Sequence, residues 1–235
     1  MTDTPQLNLP LLSPSQAQKH VTVNEALSRL DGMVQLRLKS LSVNDPPAVA
    51  EEGDCYGVPS NGVNAWAGQG GQIAIYVNGG WDFVAPRQGF RAVILDEGGL
   101  AMHDGEDWRA GAVTLTQNGA GMALRSVEID VALTAGPTVA TPVVIPDRAI
   151  VFGVTGLVTA AIGGATTWRL GVAGDDLRYG SGLGVSQNSW VSGPTTPTVY
   201  WAPTELLISA EGADFTGGTV RLAVHYASLA LPNAV

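Results

Sequence analysis

Two short stretches bring several titratable side chains together. Asp175-Asp176 is followed closely by Arg178, and His103-Asp104-Gly105-Glu106-Asp107 sets an imidazole beside three carboxylates. A carboxylate pair is the machinery of glycoside hydrolysis, but the two groups must flank the scissile bond at about 5–10 Å. Neighbours on one connection rarely do so, and Asp175-Asp176 reads as structural loop contacts. The 103–107 stretch lacks the ligand spacing of an ordered calcium loop. An acidic hairpin tip explains it. His20, His103 and His225 stand far apart in the chain, with no nucleophile motif beside them. No G-x-S-x-G, H-E-x-x-H or P-loop pattern occurs. Gly68-Gln69-Gly70-Gly71 precedes a strand, so it offers no helix N-terminus to phosphate. No catalytic residue, cofactor or metal is expected.

The aromatics are more informative. A polar stretch at 173–197 carries Tyr179 and Trp190, and Tyr200-Trp201 follows it. Such a stretch reads as a long loop, and long loops in compact β domains are functional or disordered. Adjacent strand residues face opposite sides, so one of Tyr200 and Trp201 is expected at the surface or at a subunit contact. Aromatic faces suit the C–H faces of sugars, and Asn, Asp and Arg bond to sugar hydroxyls. The candidate ligand-binding set is therefore Asp175, Arg178, Tyr179, Asn188, Trp190 and Trp201. Core or interface packing is the competing reading of the same aromatics. Trp168 is in phase with Leu170 and Val172 and reads as core.

These residues need a scaffold, and its class follows from composition and turn chemistry. The chain has 235 residues, 45% hydrophobic and 14% charged, with 30 Gly and 14 Pro. That fits many short strands and turns. Asn61-Gly62, Asn78-Gly79 and Asp104-Gly105 are each followed within a few residues by a tryptophan: Trp66, Trp81 and Trp108. Asn-Gly and Asp-Gly supply the positive φ of tight hairpins, and a tryptophan beyond the turn can pin a short one. The net charge is −9 and the pI about 4.6. An acidic chain gains nothing from counterion release, so nucleic acid and anionic membrane are poor partners. The single cysteine, Cys55, reads as a small buried hydrophobe. Residues 1–10 have neither a basic nor an apolar run, so no signal peptide is expected and synthesis is cytoplasmic. No apolar run approaches a membrane span, so no membrane insertion is expected.

Along the chain, residues 1–12 read as extended. Capping boxes at Ser15–Gln18 and Thr22–Glu25 open a helix over about 15–33, with Gly32 as its end. Its apolar stripe is Val23, Ala26, Leu27, Leu30 and Val34, and its polar face holds Asn24, Glu25, Ser28, Arg29 and Asp31. So short a helix needs a partner, either the chain's own β module or the same helix in other subunits. Alternation predicts a strand over 34–41, a Trp-turn module over 46–112, a linker over 113–124 and longer strands after 125. The expected fold is mainly β. An N-terminal helical attachment segment (1–45) precedes the small Trp/Gly-rich β-hairpin module. A jelly-roll-like β-sandwich (125–235) ends the chain.

The stretches QAQKHVTVNEALSRLDGMVQ and PPAVAEEGDCYGVPSNGVNAWAGQGG, running on to GEDWRA, carry a resemblance. So do IPDRAIVFGVTGLVTAAIGGATTWRLGVAGDDLRYGSGLGV and FTGGTVRLAVHY. Together they resemble an alphaproteobacterial prophage domain-of-unknown-function family, found in tail fibres and head spikes of phages and gene transfer agents. The resemblance implies a homotrimeric fibre or spike on the surface of a virion or phage-like particle. It also implies an N-terminal segment docked on other particle proteins and a distal β domain meeting cell-surface polysaccharide. A purely structural adaptor and a capsule depolymerase are the alternatives. No catalytic residues carry over from the family.

Overall fold

The computed structural model describes residues 3–13 and 19–232. The chain divides into two compact units, the first running to Gly121 and the second spanning Met122–Ala230. Among the described residues it is mainly β, with one α-helix, α1 (Lys19–Met33). The expected helix start at Ser15 lies outside the described residues. Among those described, no helix is long and apolar enough to cross a membrane.

The first unit holds β1 (Arg37–Leu38), β2 (Cys55–Gly57), β3 (Ile73–Val77) and β4 (Gly80–Val84). It continues with β5 (Arg91–Ile94), β6 (Gly99–His103), β7 (Trp108–Ala110) and β8 (Ala112–Leu115). β1 to β7 form a β2-β3-β4 sheet and a β1-β5-β6-β7 sheet. Leu38, Ile73, Ile75 and Ile94 make the core. Trp66 is fully buried, with the Tyr56 and Trp81 rings 5.3 and 5.1 Å from it. The tryptophans therefore do pin the module, though the turns differ. Only Asn78-Gly79 has positive φ at both residues, 52° and 73°. Asn61-Gly62 instead leads into a 3-10 turn at Asn64–Trp66. At the Asn78-Gly79 tip, Glu52 accepts both backbone N–H groups, at 2.8 and 2.9 Å.

The helix departs from its predicted faces, although Glu25 and Arg29 stay exposed as expected. Asp31, expected on the polar side, is buried and accepts from Thr4 Oγ1 (2.7 Å), Gln6 N (3.0 Å) and Leu7 N (2.6 Å). This carboxylate curls residues 3–10 into a loop closed by an Asp3–Pro10 bridge, so the stretch is not extended. Gly32 lies inside the helix rather than ending it. Its missing side chain admits Ile75, whose Cδ1 would lie 2.9 Å from a Cβ there. Val23, Ala26, Leu30 and Val34 of the apolar stripe are exposed. The strand expected over 34–41 shrinks to β1, because Gln35 takes φ 56° and breaks the extended run.

The second unit is built from β9 (Gly121–Ala132), β10 (Thr138–Ile145), β11 (Ala149–Gly163) and β12 (Thr167–Val172). Then come β13 (Asp175–Leu183), β14 (Trp190–Tyr200), β15 (Thr204–Glu211) and β16 (Gly217–Ala230). One sheet runs β14-β11-β16-β9 and the other β10-β15-β12-β13. The pairings nest first with last: β9 with β16, β10 with β15, β11 with β14, β12 with β13. That is the double-sheet jelly roll. Val154, Trp168, Leu170, Leu206, Ile208, Phe215 and Leu222 fill its core. The long loop expected at 173–197 is instead mostly β13 and β14, joined by 184–189. Pro194 and Pro197 argue for a loop, but β14 is an edge strand, where a missing N–H costs no ladder bond. The expected linker at 113–124 contains β8 and the start of β9.

Candidate functional site

Alternation along the β14-β11-β16-β9 sheet sends Val191, Val154, Val158, Val220, Leu222 and Val224 into the core. It sends a different set outward. Register places Trp190, Leu157 and Arg221 side by side across three strands. Arg221 extends this row onto β9 by donating Nε and Nη2 to the two oxygens of Asp130, at 2.7 and 2.8 Å. The next row holds Ser192, Thr155 and Ala223. Glu128, on the same face of β9 as Asp130, has Oε1 3.6 Å from Arg221 Nε. Beyond them His225 is bracketed by two hydroxyls: Ser126 Oγ at 2.8 Å from Nδ1 and Thr155 Oγ1 at 2.8 Å from Nε2. Phe152 is exposed at the adjoining bulge of β11.

With strands about 4.8 Å apart, four of them span roughly 15 Å. The result is an open polar surface whose most exposed aromatic is Trp190, at 71%. The hydrogen bond from Arg221 holds the Asp130 carboxyl below its ordinary range, and Asp130 raises the guanidinium in turn. Both stay charged at neutral pH. The hydroxyls and the imidazole can each donate or accept, so the face offers several exchangeable hydrogen-bonding positions. Among the described residues, no group of three or more His, Cys, Asp or Glu could hold a metal.

The candidate residues separate into two groups. Asn188, at φ 69° in the tight turn before β14, stands near Trp190, and its backbone N–H donates to Val158 O at 2.8 Å. Trp201, 80% exposed, follows the far end of β14, about 30 Å along the strand. The two exposed tryptophans cannot serve one compact site in one protomer. Tyr179 is core: 2% exposed, packed within the sandwich, with its hydroxyl 2.8 Å from that of Tyr200. Burial and the Tyr200 hydroxyl push its pKa up. It offers no ring face to a ligand. Arg178 pairs with Asp175 at 3.0 Å and reaches Thr198 Oγ1 at 3.3 Å, tying β13 to β14. Asp176 pairs separately with Arg169 at 2.9 Å. The two neighbouring carboxylates are thus held by different arginines.

Of the residues on this face, the sequence singles out Trp190 but not Arg221, His225, Ser126, Thr155 and Ser192. The signal was partly present: Glu128 and Asp130 alternate with Val127 and Ile129, and Arg221 and His225 with Leu222 and Val224. What the alternation lacks is the pairing that sets β16 between β11 and β9.

Residues 23–109 match a family described as "Protein of unknown function (DUF2793)". The DUF2793 region lies within the first unit and does not include the sheet face. No curated protein matches the chain. A solved chain from "Cyanophage Pam1 capsid asymmetric unit" is similar at 25% identity, covering 51% of this chain and 92% of that one, with a TM-score of 0.32.

Proposed function

We propose that this chain is a structural component of a phage-like particle whose second unit binds cell-surface polysaccharide, without covalent chemistry. The observation that carries the binding reading is Trp190: a large flat side chain left 71% exposed on an ordered sheet face, with hydroxyls, an imidazole and a bidentate ion pair around it. Carbohydrate recognition needs this combination of an apolar platform and oriented polar groups. The jelly roll also serves capsid and lectin domains, an analogy at the level of fold alone. The particle setting rests on the resemblance of the quoted stretches to tail-fibre and head-spike proteins.

The exposed stripe of α1 supports attachment through the N-terminal unit. Val23, Ala26, Leu30 and Val34 would be covered by identical helices of a homotrimer or by another particle protein. Three copies would present three identical faces and turn weak contacts into avidity.

The test is retention of the full-length protein on capsulated and capsule-free cells, with Trp190→Ala alongside. Capsule-dependent retention that the variant loses is the expected result. Equal retention on both cell types, or none from a folded protein, would favour a structural adaptor. Release of reducing ends from purified capsule would instead indicate a depolymerase.

A further inference from the structure

We infer that the outer sheet face selects polysaccharides of uncharged sugars over those carrying uronic or other acidic groups. This rests on the binding reading above and names its ligand class. The ground is the charge arrangement around Trp190. Three charged side chains form one ion cluster on the face: Glu128, Asp130 and Arg221. One positive and two negative charges sum to −1. Both guanidinium nitrogens that Arg221 commits, Nε and Nη2, are taken by Asp130 at 2.7 and 2.8 Å. A bidentate carboxylate occupies the Nε/Nη2 fork. An acidic sugar could reach only the N–H donors that remain on Nη1 and Nη2. It would then stand beside two carboxylates, within the ~8 Å over which charges act at physiological salt.

The other polar groups are Ser126, Thr155, Ser192 and His225. A hydroxyl gives one donor and two acceptor sites and rotates to suit. Such groups match a ligand whose own polar atoms are hydroxyls. Trp190 and the neighbouring Leu157, both exposed, supply the apolar surface for its C–H face.

Binding of the full-length protein is measured to soluble neutral glucans, galactans and mannans, and to polygalacturonate and alginate. Three forms are compared: wild type, Trp190→Ala, and Glu128→Gln/Asp130→Asn, which leaves Arg221 as the one charge of the cluster. Melting curves confirm that each is folded. At least one neutral polymer is expected to bind, about tenfold more weakly to Trp190→Ala. Binding to it should change little with salt. Acidic polymers should bind wild type no better than Trp190→Ala and gain roughly tenfold in the double variant. Tighter, Trp190-dependent binding of an acidic polymer by wild type would overturn the selectivity and leave the binding reading standing. Retention of no polymer would overturn both.

Discussion

Asp104 shows how one carboxylate of an acidic turn acquires a structural task. Its side chain is fully buried, with Oδ1 accepting from the backbone N–H of Glu106 (2.9 Å) and Asp107 (2.7 Å). Arg109 Nε donates to Oδ2 at 2.6 Å. Burial by itself would raise the pKa. The backbone donors of Asp107 and Glu106, with Arg109, outweigh it and hold the group at about 2, against 3.8 when unfolded. A depressed folded pKa contributes stability that is present above the unfolded value. It is lost as pH falls from about 4 towards 2, amounting to about 2 kcal/mol. Urea midpoints at pH 5, 3 and 2 should fall more steeply for wild type than for Asp104→Asn, which starts lower. The sequence marked 103–107 as an acidic tip. It could not mark which of three carboxylates the turn's own N–H groups would capture, because that depends on the final backbone path. Tyr179 and Trp190 pose the same difficulty: both are aromatics in a polar stretch, and only strand phase buries one and exposes the other.

At the scale of elements, α1 and β3 meet where neither has bulk to spare. Replacing a helical glycine by alanine ordinarily stabilises by about 1 kcal/mol. At Gly32 the new methyl would lie 2.9 and 3.0 Å from two carbons of Ile75, itself fully buried. Overpacking of that kind costs roughly 1–3 kcal/mol. Gly32→Ala should therefore lower the melting temperature of the first unit, where propensity alone predicts a rise. The helix was legible from its 3.6-residue spacing, but its buried face was not, and Thr22–Glu25, expected to cap it, lies inside it. Hydrophobicity favours the Val23–Leu30 stripe, whereas the observed contact is set by the hydrogen bonds of Asp31 and the fit at Gly32. Most strands of the jelly roll were legible from alternation. β13 and β14 were hidden by glycine, proline and serine, residues that edge strands tolerate and central strands do not.

At the scale of the whole molecule, the two units have separate cores. Leu38, Ile73, Ile75 and Ile94 anchor one, and Trp168, Leu170, Ile208 and Phe215 the other. A chain of two cores need not unfold in one step. Calorimetry should resolve two transitions. Phe215→Ala should depress one of them by the equivalent of about 3–5 kcal/mol while leaving the other in place. A single transition shifted as a whole by that variant would show that the units unfold together.

The Asn78-Gly79 tip has a chemical consequence of its own. Asn-Gly is the dipeptide most open to ageing: the glycine nitrogen attacks the asparagine side-chain carbonyl, closes a succinimide ring and expels ammonia. That attack needs the nitrogen stripped of its proton. Here the Gly79 N–H is donated to a carboxylate of Glu52 at 2.9 Å, and that negative charge opposes deprotonation. The side chain that fastens the hairpin thus also slows its decay.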